Sequence, residues 1–318
     1  MRVLVTGVAG FIGSRVASHL LRADHEVVGV DALTTYYDPA IKRRNVQRLE
    51  RHRGFQFVES DLLEDTWVWA VDHVDAVLHH AAEPGVRASW EHFDRYVDRN
   101  VHATQRLLEL VRERPLRRFV MASSSSVYGD ALHFPTREDV LPQPFSPYGV
   151  TKMAAEQLCH VYARNWGVPT VTLRYFTVYG GGQRPDMAVQ RMIQAARHGL
   201  TFKIFGQGTQ ERDLTHVDDV ARANLAALEH PLDPGECLNV AGGDHVTVNE
   251  LLERVGKAVG SPVPAETLEA KPGDVRRTGA DTSRARQRLG VEPATGLEEG
   301  IAEQVDWVMR EEATRNAS

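Results

Sequence analysis

Thr6-Gly7-Val8-Ala9-Gly10-Phe11-Ile12-Gly13 has the spacing G-x-x-G-x-x-G and lies where one periodicity gives way to another. Before it, Arg2-Val3-Leu4-Val5-Thr6 is short, apolar and β-branched, the pattern of a buried strand. After it, Ile12, Val16, Leu20 and Leu21 recur at helical spacing and predict a helix from about Phe11 to Ala23. Glycine between such a strand and helix lets the chain turn sharply and lets a pyrophosphate approach the backbone. The helix start then offers unpaired N–H groups and a partial positive charge. A second strand, Glu26 to Val30, ends at Asp31, 18 residues past Gly13. A carboxylate there accepts from the ribose diol of an adenosine and repels a 2′-phosphate, which favours NAD over NADP. Asp61 ends the third strand in the same relative place, where it accepts from an adenine amine or caps the turn from Leu62 onward.

The alternation continues outward. Strands are predicted at Phe55–Val58, Ala76–His80, Arg118–Ala122 and Thr170–Arg174, with helices near His92–Glu113 and Tyr148–Asn165 between them. Strand and helix in alternation imply an α/β fold, a Rossmann-type doubly wound parallel sheet with helices on both faces. After Tyr179 the texture becomes less regular, so residues 1–179 read as the cofactor domain and 180–318 as mainly a smaller C-terminal substrate-binding region. A return segment at about 213–240 is expected to rejoin the main sheet. Glu311 to Ser318 read as frayed.

Bulk properties exclude several classes. With 318 residues, 42% hydrophobic and 25% charged, the chain suits one large or two coupled globular domains. The net charge of −6 argues against a nucleic-acid surface. No apolar run approaches the roughly 18 residues of a membrane span. Two cysteines, Cys159 and Cys237, make no disulfide framework, and the start at Met1 shows no signal peptide. A cytoplasmic protein is expected. His79, His80 and His216 lack the companion ligands of a metal site, so no metal is expected.

Chemistry is carried by two separated elements. Tyr148 and Lys152 form Y-x-x-x-K at the start of a predicted helix, and residues four apart share a face. An ammonium beside a phenol favours the phenolate, so Lys152 is expected to lower the pKa of Tyr148 toward that of a usable base. Ser123-Ser124-Ser125-Ser126 lies at the carboxyl end of the fifth strand, where open α/β sheets bind ligands. A hydroxyl there can hold the reacting oxygen beside Tyr148, and some of these serines serve only the backbone.

At this point the sequence resembles the extended short-chain dehydrogenases that act on nucleotide sugars. The resemblance rests on the glycine loop, His80-Ala81-Ala82, Ser123 to Ser126 with Val127-Tyr128-Gly129, Pro147-Tyr148-Gly149-x-x-Lys152 and Leu173-Arg174-Tyr175-Phe176. It continues through Arg212-Asp213-x-Thr215-His216-Val217-Asp218-Asp219 and Pro272-Gly273-Asp274-Val275. The resemblance implies catalytic roles for Ser124 or Ser125, for Tyr148 as base, and for Lys152 as ribose anchor. It implies cofactor contacts from Gly7, Gly10, Phe11, Ile12, Gly13, Asp31, Asp61, Leu62, Ala81, Ala82, Asn100, Tyr148, Lys152 and Tyr175. It also implies a UDP-sugar held by Arg87, Ser89, Ser124, Ser125, Ser126, Thr177, Arg184, Met187, Lys203, Phe205, Gln210, Arg212 and Asp274.

Within that family, the 4,6-dehydratases and the decarboxylating enzymes carry acids just before Val-Tyr-Gly. Here those positions are Ser125 and Ser126, which have no useful proton to trade near neutral pH. Epimerisation at C4 through a transient 4-keto sugar remains. Tyr36-Tyr37-Asp38 with Lys42, Gly85-Val86-Arg87-x-Ser89 and Gly182-Gln183-Arg184-Pro185-Asp186-Met187-Ala188 are similar to the UDP-glucuronate 4-epimerases. Thr177 with Arg184 suits a C6 carboxylate, because an arginine fork binds one in two places. Glu83 and Pro84 stand where that sub-family carries Gln-Ala, so the Glu83 carboxylate has to point away from an acidic sugar. The alternatives are a neutral-hexose epimerase or reductase, and a non-catalytic NAD-binding regulator on the same scaffold. Leu107, Leu108, Val111, Leu158, Val161 and Tyr162 lie on faces that either pack on the sheet or pair two copies into a homodimer.

Overall fold

The structure, a computed structural model, describes residues 1–131, 133–270 and 273–316. Pro272 lies outside the described residues. Seven strands form the main sheet: β1 (Arg2–Thr6), β2 (Glu26–Asp31), β3 (Phe55–Glu59), β4 (Ala76–His79), β5 (Arg118–Ser124), β6 (Thr170–Tyr175) and, after β7 (Thr177–Tyr179), β8 (Phe202–Phe205) and β9 (Glu211–His216), the returning β10 (Glu236–Val240). Their spatial order is β10-β6-β5-β4-β1-β2-β3, and each neighbouring pair is parallel. The chain order reverses between β1 and β4, whose ends are level, with Thr6 opposite His79. That reversal opens the crevice in which doubly wound sheets bind ligands.

Helices cover both faces. They are α1 (Phe11–Arg22), α2 (Pro39–Leu49), the short α3 (Phe93–Tyr96), α4 (Ala103–Val111), α5 (Pro147–Trp166) and, after α6 (Ala188–His198) in the smaller region, α7 (Val217–Glu229). On one face Val16, Leu20, Val220 and Ala223 pack beneath β1, β5 and β6. On the other, Leu107, Leu108, Val111, Cys159 and Tyr162 pack beneath Leu4, Val77 and Phe119. Each such fully buried Val or Leu contributes about 1.5–3 kcal/mol. The predicted helix near His92–Glu113 is broken by a π turn over Val97–His102, in which Asn100 is buried.

Beyond β7 lie β11 (Asp244–Thr247), α8 (Val248–Val259), β12 (Ala265–Leu268), α9 (Ser283–Leu289) and α10 (Leu297–Asn316). Strands β11, β9 and β7 make a three-stranded sheet, and β12 pairs with β8. Met192, Ile193, Leu251, Val255 and Ile301 fill a separate core there. The expected fraying from Glu311 is corrected: α10 runs through Asn316, held by Glu311 paired with Arg48 and Glu312 with Arg197. Ala317 and Ser318 lie outside the described residues. No helix among the described residues is long and apolar enough to cross a membrane.

Candidate active site

A cavity of about 370 Å³ opens at the carboxyl ends of β1, β4 and β5. Gly7, Gly10, Phe11, Ile12 and Gly13 form one wall. Close approach requires glycine here. A Cβ on Gly13 would lie 2.2 Å from the Gly7 carbonyl oxygen, and one on Gly7 2.6 Å from the Ala81 nitrogen. Gly10 caps α1 without a side chain, which leaves the first N–H groups of the helix to an anion.

Asp31, Asp61 and Leu62 line the far end, and Ala81 and Ala82 the floor. Asp31 accepts from the N–H of Ala9 at 3.0 Å and of Leu33 at 2.8 Å, which fixes it against the glycine loop. Burial raises its pKa, and Lys42 and the two N–H groups pull it back down. Asp61 accepts from the Leu63 N–H at 3.0 Å and faces Arg99 at 3.6 Å, so it caps the turn and lines the cavity at once.

The start of α5 is set by Ser146, whose hydroxyl accepts from the Gly149 N–H at 3.1 Å, and by Pro147 in the first turn. Tyr148 and Lys152 therefore point from one face of the first turns into the cavity. Ser124 and Tyr148 line the same cavity. Ser124 donates to the Ser126 hydroxyl at 3.1 Å and accepts the Ser126 N–H at 3.2 Å. Ser125 and Ser126 line the same wall. Ser123 lines the cavity as well, but its hydroxyl donates to the buried Glu156 carboxylate. The Ser123 hydroxyl is thus set apart from the other three.

One electrostatic expectation is corrected. Burial raises the Tyr148 phenol above its ordinary 10, opposed by the Ser124 hydrogen bond and the charge of Arg184, with Lys152 not among the causes. Burial also draws Lys152 down to about 8, against the pull of Glu156.

On the opposite wall Tyr175, Thr177, Arg184 and Met187 face Tyr148. Glu83 also lines the cavity, and its carboxylate is turned to Arg99 at 2.8 Å and Arg95 at 3.3 Å. Asn100 lies behind this wall. It accepts from the Glu83 N–H at 2.7 Å and donates to the Thr151 hydroxyl at 3.0 Å, which ties the π turn to α5 beside Lys152.

Seven residues expected to touch the sugar nucleotide lie outside this cavity. Four of them cluster: Asp274 faces Arg87 at 3.4 Å and Arg212 at 3.5 Å, and Arg87 stacks over Phe205 at 4.1 Å. Gln210 donates to the Phe205 carbonyl at 2.9 Å. Lys203 is exposed on β8. Ser89 is fully buried and donates to the Val86 carbonyl at 2.6 Å, where it pins a turn.

Residues 3–241 match the NAD dependent epimerase/dehydratase family. The chain belongs to that family. A UDP-glucuronate 4-epimerase of Thermodesulfobacterium geofontis is 39% identical over 309 residues, covering 96% of this chain and 95% of the relative. An uncharacterised UDP-glucose epimerase of Bacillus subtilis is 39% identical over 310 residues, covering 97% and 98%. The crystal structure of UDP-glucuronic acid 4-epimerase from Bacillus cereus, in complex with UDP-glucuronic acid and NAD, superposes with a TM-score of 0.94 at 40% identity, covering 98% of this chain and all of that one.

In this epimerase-family chain the cavity also takes in residues named in the sequence only within a matching motif, and Arg99, which is not named there. Tyr36, Tyr37 and Lys42 enter from the segment after β2, and Arg99 from the π turn. The Asp38 cap that starts α2 was a usable signal for the first three. His80 also lines the cavity, stacked on Tyr175, and burial draws its pKa down to about 3. His79 is engaged by Thr6 at 2.7 Å and Thr104 at 3.0 Å. His216 approaches Glu303 at 3.6 Å and Asp218 at 3.8 Å, with the Arg15 guanidinium already bridging those two carboxylates.

Proposed function

We propose that this protein inverts C4 of UDP-glucuronate to give UDP-galacturonate, with NAD as its cofactor. The observation that carries the reading is the sharing of one cavity by Ser124, Tyr148 and Lys152 with Thr177 and Arg184. A proton acceptor and a carboxylate fork thus stand at the same sugar. The family match and the relatives that bind UDP-glucuronic acid and NAD support it.

The residues fit the cofactor. The glycine loop and the open start of α1 suit a pyrophosphate, and Asp31 suits an adenosine ribose diol. NAD, when bound, would supply the hydride acceptor and donor for inversion at C4. The chain does the rest. Ser124 holds the 4-oxygen. Tyr148 takes its proton and later returns it. Lys152 steadies the phenol and the nicotinamide ribose. Arg184 and Thr177 hold the C6 carboxylate, which keeps the β-keto acid out of the alignment that loses carbon dioxide. Ser125 and Ser126 supply no acid for elimination.

In this reading residues 1–179 with about 213–240 carry the cofactor, and 180–318 mainly the nucleotide sugar. Arg87, Arg212 and Asp274 then take the diphosphate and uridine ribose. The exposed Val150, Val161 and Trp166 on α5 suit a homodimer face, and the free thiols Cys159 and Cys237 suit the cytoplasm.

Purified protein with NAD is expected to convert UDP-glucuronate with a kcat/KM about tenfold or more above that for UDP-glucose, since only a C6 carboxylate can be held by the Arg184 fork. The reverse preference, measured with both substrates under one condition, assigns the protein to neutral hexoses.

A further inference from the structure

Arg184 is already occupied. Its Nε donates to one oxygen of Asp186 at 3.0 Å and its Nη2 to the other at 2.9 Å. This is the two-point geometry that a sugar carboxylate would ask of the same guanidinium. The two partners differ in setting. Arg184 is 19% exposed and lines the cavity, with its guanidinium 5.6 Å from the centre of the Tyr36 ring. Asp186 is 41% exposed and does not line the cavity. The acid is free to swing into solvent, whereas the arginine is bound to its wall.

Two consequences follow for a bound sugar. A carboxylate at C6 must take the fork from Asp186 or share it, and meets a negative charge while doing so. A neutral hydroxymethyl group at C6 meets a fork that is already satisfied. An arginine fork with no partner would otherwise reject the neutral sugar, because a buried donor left unpaired costs far more than a missing contact.

We propose that Asp186 is a specificity-determining residue, an internal carboxylate that occupies Arg184 whenever a neutral sugar fills the site. It weakens the hold on an acidic sugar and relaxes the exclusion of a neutral one. This rests on the reading of Arg184 as the holder of the C6 carboxylate.

The test is Asp186→Asn, assayed with UDP-glucuronate and UDP-glucose in parallel. The KM for UDP-glucuronate falls and kcat/KM for UDP-glucose falls, so the acid-to-neutral preference rises by about tenfold, while kcat for UDP-glucuronate changes little. Asp186→Glu restores the original preference. In an Arg184→Gln background, Asp186→Asn loses most of its effect, because no fork remains to compete for. An equal effect in both backgrounds means that Asp186 acts only as a distant charge, and overturns the proposal. An unchanged preference in Asp186→Asn, with wild-type protein active on UDP-glucuronate, overturns the role of Asp186 alone. Wild-type protein inert toward UDP-glucuronate overturns this role and the proposed function together.

Discussion

Tyr148→Phe is expected to lower kcat by about 10³-fold, within the range of a lost general base. Nucleotide-sugar binding and the melting temperature should hardly move. The ring stays, including its edge contact with Tyr96 at 6.2 Å, and only the hydroxyl is removed. That hydroxyl shares the cavity with Ser124 and Lys152. The hydroxyl is the group assigned to move the proton, and the rest of the ring stays in place. The loss therefore belongs to kcat rather than KM. Steady-state kinetics beside a melting curve separate the two. Activity within tenfold of wild type would show that another group moves the proton.

Glu156→Leu is expected to destabilise the fold by about 3–5 kcal/mol, the cost of stranding a buried charge. Glu156 and Arg174 pair at 2.7 Å, with side chains only 5% and 6% exposed. Arg174 also donates to the Tyr128 hydroxyl at 2.8 Å, which in turn donates to Asn239 at 2.7 Å on the returning strand β10. The substitution leaves the guanidinium without its counter-charge and the Ser123 hydroxyl without its acceptor. For a chain of this size the melting temperature should fall by about 4–8 °C. Lys152, one turn earlier on α5, would also lose the carboxylate that holds its pKa up. Glu156→Gln should cost less, because it keeps a hydrogen-bond acceptor. Calorimetry on the two variants ranks them, and a loss below 1 kcal/mol for leucine would contradict the reading of this pair.

Much of the scaffold was legible because its signals are local. The G-x-x-G-x-x-G spacing, the apolar strands and the helical spacing of apolar residues each act within a few residues, and the sheet follows from their alternation. The positions of Tyr148 and Lys152 were legible for the same reason. The charge state of the phenol was not, since it depends on what buries it. Asp186 illustrates the limit from the other side. Its spacing from Arg184 is visible in the chain, yet only the folded loop shows that it holds the fork in two places. The division of the serines likewise needed Glu156, 33 residues beyond Ser123. Glu83 looked hostile to an acidic sugar until Arg95 and Arg99 were seen to draw it aside.

The most direct measurement is proton NMR of UDP-glucuronate incubated with the purified protein and NAD. Inversion at C4 turns the H4 proton from axial to equatorial, and its large couplings to H3 and H5 should collapse to small ones as UDP-galacturonate appears, with the C6 carboxylate retained. Large H4 couplings that persist at long times, or loss of carbon dioxide to give a pentose, would contradict the account.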